Sequence, residues 1–204
     1  MDKFEGLIRR IVKNFNAAGI DYMFTGALAA SYYGTPRTTM DIDIVVKVPP
    51  ENLQTRLVAP LKKANMQVNA QKINDAFKSG FRIITLKDKR TPFTLDVILS
   101  EDKKLEKKPG TILGLPTFYQ TPEGLILSKL HMIKATVPKE RAIEDKDDVK
   151  AILRYTEVNM KALKRRAQKE STFAILEELT YKIFSFKSCR KEWTTLKNKK
   201  ERGG

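Results

Sequence analysis

Apolar side chains recur at three- and four-residue intervals near the start of the chain, where Phe4, Leu7, Ile8, Ile11, Val12 and Phe15 fall on one face. That spacing predicts an amphipathic helix over residues 2–18, and Gly19 follows where a left-handed stop belongs. The period then changes. Asp21-Tyr22-Met23-Phe24-Thr25 is a β-prone run entering Gly26, and residues 27–33 suit a short helix closed by Gly34. The next segment, Asp41 to Val48, is β-branched and largely apolar and is ended by Pro49 and Pro50, the pattern of a central strand.

Residues 51–65 read as a helix, and 81–86 and 93–99 as the two strands of an antiparallel hairpin. Residues 101–121, interrupted by Pro109, Gly110, Gly114 and Pro116, predict an irregular basic connection with one short strand. Thr121-Pro122-Glu123 opens a helix whose inward stripe is Ile126, Leu130 and Ile133. Val149, Ile152 and Leu153 give the stripe of another helix over 144–155, and Phe173, Leu176, Leu179, Ile183 and Phe186 that of a last one. The closing run from Lys197 to Gly204 is expected to be disordered.

Composition narrows the function classes. With 41% hydrophobic and 31% charged residues in 204, the chain has the makeup of a globular protein with a real core. No run approaches the roughly 18 apolar residues of a membrane span, and the amphipathic start is no signal region. A cytoplasmic protein without a membrane partner is therefore expected. One cysteine, Cys189, and one histidine, His131, leave no internal disulfide, no Cys/His zinc cluster and little material for Ser-His or Cys-His catalysis. Charge adds a positive clue. Lys and Arg number 39 against 24 Asp and Glu, a net +15, and between Arg154 and Arg202 fourteen basic residues face six acidic ones. A polyanionic partner fits that excess, with a solvated basic surface as the plainer account.

The residues that carry chemistry are acids. Asp41 and Asp43 stand two apart in a strand, so both carboxylates project from one face while Ile42 and Ile44 point to the other. At that spacing, roughly 6–7 Å, they can grip a hard divalent cation, which prefers carboxylate oxygen. Asp96 lies in the middle of the strand 93–99, alternating with apolar positions. Together with a Gly-containing strand-to-helix turn at Gly26 and Ala27, whose backbone N–H groups can receive phosphate, these acids make a more specific pattern than any of them alone.

The pattern resembles the DNA polymerase β-like nucleotidyltransferase superfamily, in which a hydrophobic-Gly-Gly/Ser turn is followed after some nine to thirteen residues by Asp-hydrophobic-Asp/Glu. Here Phe24-Thr25-Gly26-Ala27 precedes Asp41-Ile42-Asp43 by thirteen residues, and Asp96 matches the third acid. Over roughly residues 1–157 the chain is similar to small bacterial and archaeal nucleotidyltransferase-like proteins, including the minimal ones and the AbiEii toxin-type group. The resemblance implies an α/β (α+β) fold, a small mixed and mostly antiparallel sheet flanked by helices, with further helices closing a cleft. It makes residues 1–157 the nucleotidyltransferase-like domain, and 158–204 is read as a basic helical extension. It implies transfer of NMP from an NTP to an acceptor hydroxyl with release of pyrophosphate. Asp41 and Asp43 would hold Mg²⁺ carrying the triphosphate, with Asp96 on a second ion, Mn²⁺ being an alternative. RNA such as tRNA is the favoured acceptor because of the basic tail, a partner protein the next, and a catalytically inactive binding module the rival reading. Ala27 departs from the usual Gly or Ser, which removes a hydroxyl and leaves the N–H.

Cations complete the expected nucleotide site. Arg37 lies four residues before Asp41 and can meet triphosphate oxygens, or be a surface arginine. Lys129 falls inside the apolar stripe of its helix, so it must reach a negative partner, either the triphosphate or an internal acid such as Asp145. Arg141 and Asp145 read as a helix pair at i, i+4, and Glu144, Asp147 and Asp148 as a solvated acidic turn. Trp193, among basic residues, either stacks on a base or anchors the last helix.

Overall fold

The computed structural model describes residues 3–34, 36, 38–79, 82–101 and 104–181, and these divide into two compact units. The first comprises residues 1–32 and 36–121, the second residues 33–35 and 122–204. The boundary expected at 157 lies inside the second unit.

In the first unit the N-terminal amphipathic stretch forms α1 (Lys3–Ala17), burying Leu7, Ile8, Ile11, Val12 and Phe15. Gly19 ends it with φ +60°. Then follow β1 (Asp21–Phe24), α2 (Gly26–Tyr33) and β2 (Asp41–Lys47). The helix expected at 51–65 is built from three short pieces: a 3₁₀ turn at Pro50–Asn52, a π turn at Gln54–Val58 and α3 (Ala59–Lys63). A further helix, α4 (Ala70–Ser79), occupies a stretch for which the sequence offered no element.

Strands β3 (Ile83–Lys87) and β4 (Thr94–Leu99) form the antiparallel hairpin predicted for them. The connection expected to be irregular is instead a second hairpin, β5 (Lys107–Ile112) and β6 (Leu115–Gln120). Its breakers are all accommodated. Leu113 and Gly114 both take positive φ, +52° and +77°, which suits a two-residue hairpin turn, and Pro109 sits on an edge strand where a lost donor is tolerated.

The six strands form one mixed sheet in the order β3-β4-β2-β1-β6-β5, with β2–β4 and β1–β6 parallel and the other three pairs antiparallel. One face is the core: Ile42, Ile44 and Val46 of β2, Leu95, Val97 and Leu99 of β4, and Ile84 and Leu86 of β3. Edge-on contact of Phe15 with Tyr22 places α1 on that side. The buried Asp88 just after β3 is tied to Arg10 of α1 at 2.8 Å and to Thr91 at 2.7 Å, which fixes the β3–β4 turn to the first helix. The opposite face carries Asp41, Asp43 and Val45, then Thr94, Asp96 and Ile98, then Ile83, Thr85 and Lys87, all half-buried or exposed.

The second unit is helical: α5 (Pro122–Ala135), a 3₁₀ turn at Lys139–Ala142, α6 (Ile143–Tyr155), α7 (Met160–Lys169) and a helix over 173–181. Its core holds Ile126, Leu130, Ile133, Val149, Ile152 and Leu163, and takes in Leu176 and Leu179. Asn159 caps α7 by accepting from the Ala162 N–H at 3.0 Å, while its own N–H donates to Glu123 at 2.6 Å and ties the starts of α5 and α7. Leu153, counted in the inward stripe of α6, is only half-buried. Among the described residues, no helix is long and apolar enough to cross a membrane. Arg37, Cys189 and Trp193, the end of the last predicted helix and the closing basic run lie outside the described residues, as does the side chain of Arg141.

Candidate functional site

Strand register decides which acids meet. In the parallel pair β2–β4, Asp43 stands directly opposite Asp96, and Asp41 opposite Thr94. Directly opposed residues share a sheet face, with neighbouring strands about 4.8 Å apart. Two carboxylates thus lie side by side on the open face, and Thr85 of β3 continues the row on the far side of Asp96. The alternation that exposes them is the one that buries Ile42, Ile44, Leu95 and Val97 behind them.

Gly26 closes the row at its other end. It follows β1, has φ +56°, and a Cβ built on it would lie 2.0 Å from Asp43 Oδ2. Only glycine admits both the conformation and the contact. The Thr25 N–H donates to the Asp43 carbonyl at 3.0 Å, so the turn is bound to β2 at the residue that carries the acid. Gly26 and Ala27 begin α2, and the first N–H groups of a helix have no acceptor within it. Ala27 is buried, so what it can offer a ligand is its backbone.

The three acids differ in what they touch. Asp96 Oδ1 is shut off from solvent and has no hydrogen-bond partner. Asp41 is exposed and its Oδ1 accepts a hydrogen bond from the Thr94 hydroxyl. Among the described residues no three His, Cys, Asp or Glu side chains stand close enough together to hold a metal ion. The register brings Asp43 and Asp96 together, with Asp41 one step along and turned to Thr94. An orphaned buried carboxylate oxygen beside a second carboxylate, both hard oxygen donors, fits a divalent cation of the Mg²⁺ kind.

Lys129 is 5% exposed and buried in α5. Its ammonium is held by Asp145 at 2.9 Å and by Asp148 at 2.7 Å, both on α6. This is the internal pairing weighed above against a triphosphate. Asp148, expected in a solvated turn, is instead buried and part of the cluster. Its position three after Asp145 and one before the core residue Val149 was the available signal, since i and i+3 share a helix face. Thr94 was likewise legible as the residue two before Asp96, and Thr85 as the polar step between Ile84 and Leu86. His131 is half-exposed and meets Glu170 at 2.8 Å, apart from the acids of the sheet in sequence and element.

No family model matches the sequence, and no curated protein matches it. Solved structures do resemble the fold. The solution structure of the antibiotic-resistance factor ANT(2″)-Ia has a TM-score of 0.57 at 17% identity, over 89% of this chain and 99% of that one. The crystal structure of ANT(2″)-Ia in complex with adenylyl-2″-tobramycin has a TM-score of 0.55 at 14% identity, over 87% and 98%. An antigenic nucleotidyltransferase-like protein from Paracoccidioides brasiliensis has a TM-score of 0.51 at 14% identity, over 85% and 94%. At such identities the likeness establishes the fold, a mixed sheet with flanking and C-terminal helices of nucleotidyltransferase type.

Proposed function

We propose that this protein is a Mg²⁺-dependent nucleotidyltransferase that moves NMP from an NTP to a hydroxyl of a macromolecular acceptor and releases pyrophosphate. The observation that carries the reading is the pair Asp43 and Asp96, opposed across parallel strands, with one Asp96 oxygen buried and without a partner. Burying a carboxylate oxygen with nothing to compensate it is costly, and a cation in that place removes the cost. The fold, shared with a nucleotidyltransferase-like protein and with a resistance factor solved in complex with adenylyl-2″-tobramycin, supports the same class.

The residues divide the work. Asp43 and Asp96 would hold the divalent cation, Mg²⁺ or Mn²⁺, and Asp41 would join them on giving up its bond to Thr94. When bound, such ions neutralise phosphate charge and lower the pKa of an acceptor hydroxyl. The turn at Gly26 and Ala27 presents backbone N–H groups at a helix start, a setting that favours phosphate oxygens, and Arg37, four residues before Asp41 in the sequence, would add a cation for the triphosphate. Asp96 would act as the local base, or as a ligand only, while the proton of the acceptor hydroxyl leaves, its oxygen bonds to the α-phosphorus and the bond to pyrophosphate breaks. Lys129 we assign to its ion cluster with Asp145 and Asp148 rather than to the triphosphate.

RNA such as tRNA is the favoured acceptor, with a partner protein the alternative, because the chain carries +15 and a cationic antibiotic would be repelled by that field. A minimal or AbiEii-type relationship accords with the motif order. One observation favours an inactive binding module: Asp41 is engaged by Thr94, so the acids do not gather round one point. Incubation with each of four α-³²P-labelled NTPs, Mg²⁺, total RNA and cell protein decides between them. Label that disappears in Asp43→Ala and is lost to RNase or to protease establishes the transfer and names the acceptor. NTP binding without label in any lane selects the binding module.

A further inference from the structure

The two ends of the sheet are not alike. β5, at one end, carries Pro109 and Gly110, and a Cβ on Gly110 would come within 2.9 Å of both Tyr32 and Tyr119, whose rings stack 3.9 Å apart. β3, at the other end, is Ile-Ile-Thr-Leu-Lys without a proline, and among the described residues its outer edge is hydrogen-bonded for only part of its length.

Hydrogen bonds locate the uncovered part. The Leu99 N–H donates to the Arg82 carbonyl and the Asp88 N–H to that of Phe93, so the even-numbered residues of this strand face β4. Ile83, Thr85 and Lys87 therefore turn their backbone groups outward. The Lys87 carbonyl accepts from the Gln67 N–H at 2.8 Å, and the Lys89 N–H donates to Asn65 at 3.2 Å, with Met66 bridged antiparallel to Asp88. This is the stub of a seventh strand. It stops at Gln67, because Asn69 then caps α4 by accepting from the Lys72 N–H at 3.1 Å and the chain turns away. Among the described residues, no hydrogen bond reaches the outward backbone groups of Ile83 and Thr85. A groove of about 500 Å³ runs along this edge, lined among others by Gln67, Asn69, Lys72, Thr85, Lys87 and Lys89.

We propose that the outer edge of β3 is a docking site for an extended acidic peptide segment of a partner protein, which continues the stub at residues 65–67 as an added strand. An uncovered edge offers alternating donors and acceptors that a peptide backbone matches, and the pleat spaces side-chain positions two residues apart. Three lysines line the groove, none of them joined to an acid among the described ion pairs, and its lining includes no acidic residue. The positive rim selects an acidic strand and repels a second copy of the same edge. An RNA strand would meet the lysines but leave the main-chain groups unanswered, which is why the geometry favours a peptide. This docking stands apart from the nucleotidyl-transfer reading. On that reading, it sets the docked residue beside Thr85 in one row with Asp96 and Asp43, about two strand spacings or roughly 10 Å from Asp96.

The test uses the full chain without nucleotide and a fluorescein-labelled eight-residue peptide of alternating valine and glutamate. Fluorescence anisotropy is expected to show saturable binding. Combining Lys72→Glu, Lys87→Glu and Lys89→Glu is expected to weaken it about tenfold or more, as loss of charge complementarity does. Thr85→Pro removes only an outward donor, which an edge strand tolerates, and is expected to weaken binding with the circular dichroism unchanged. Should that variant fail to fold, the same peptide N-methylated at alternate amides reads the main-chain contribution on the wild-type protein and is expected not to bind. Absence of saturable binding overturns the proposal, as does equal binding of the N-methylated peptide. Competition by an eight-nucleotide oligoadenylate, with no response to Thr85→Pro, replaces the peptide edge with a nucleic-acid surface.

Discussion

Two kinds of buried or half-buried acid in this molecule are treated in opposite ways. In the helical unit, Asp145 and Asp148 share the ammonium of Lys129, and in the sheet unit Asp88 is matched by Arg10. On the open face of the sheet, Asp96 lies beside Asp43 with one oxygen buried and unmet. Ion pairs of the first kind complete themselves within the chain, so removing a partner leaves a charge stranded. On the proposed reading the second kind is incomplete until a cation from outside the chain arrives, so removing an acid is expected to relieve the fold. A single substitution in each kind therefore pulls stability and activity in different directions.

The largest effects are expected where the contrast is sharpest. Asp96→Asn should lower label transfer by about 10²–10⁴-fold, the usual contribution of a positioned acid or base. Its Tm without metal should stay level or rise. A marked loss of Tm would instead make Asp96 a structural acid. Lys129→Met should do the reverse, costing roughly 3–5 kcal/mol in urea unfolding because the buried Asp148 and the part-exposed Asp145 lose their cation. Adding Asp145→Asn and Asp148→Asn should recover much of that loss. If Lys129→Met instead keeps its stability and loses NTP affinity, the lysine serves the triphosphate after all.

Sequence reading recovered the parts of this contrast that depend on local period. The acids of β2 and β4, the apolar residues behind them and Gly26 are visible as alternation and as a glycine at a strand-to-helix turn. What stayed hidden depends on register and on tertiary packing. Nothing local states that Asp43 faces Asp96 rather than Thr94, because a parallel pairing is set by elements fifty residues apart. The β5–β6 hairpin was obscured because its prolines and glycines read as breakers, whereas an edge strand and a positive-φ turn absorb them. The burial of Asp148 was masked by the acidic run around it, Glu144 to Asp148, in which only the packing of α6 on α5 selects the inward members.

A step down in size lies the pair that anchors the β3–β4 turn. Asp88 is fully buried while Arg10 keeps a quarter of its side chain in solvent, so Asp88→Ala strands a group that water can still reach. A cost of about 1–3 kcal/mol is expected, measured by urea unfolding, with label transfer intact per folded molecule. Gly26→Ala tests the turn against the acid. The positive φ costs roughly 1–2 kcal/mol in stability, and the new Cβ must displace the Asp43 carboxylate. Activity should fall in the wild-type background and add little to Asp43→Ala, since both changes remove the same carboxylate from its place. Additive losses in that double variant would separate Gly26 from Asp43.

The smallest effect carries the same logic to a group that buries itself without any charge. Tyr119 is buried under Tyr32, donates to the Thr111 carbonyl at 3.1 Å, and has its pKa pushed from 10.0 to about 12 by desolvation first, then by the neighbouring phenols Tyr32 and Tyr22. The folded state thus favours the neutral phenol. Its contribution is fully present below pH 10 and is lost as pH rises from 10 towards 12, because the unfolded chain releases the proton first. Stability measured in urea should fall across that window, and absorbance at 295 nm should show a phenol titrating late. Tyr119→Phe should flatten part of the fall, and Tyr22, raised by burial against a weaker opposing bond from Thr117, should supply the remainder. An unchanged slope in Tyr119→Phe would mean that this phenol releases its proton at the same pH in the folded and unfolded states, so that its burial carries no linkage here.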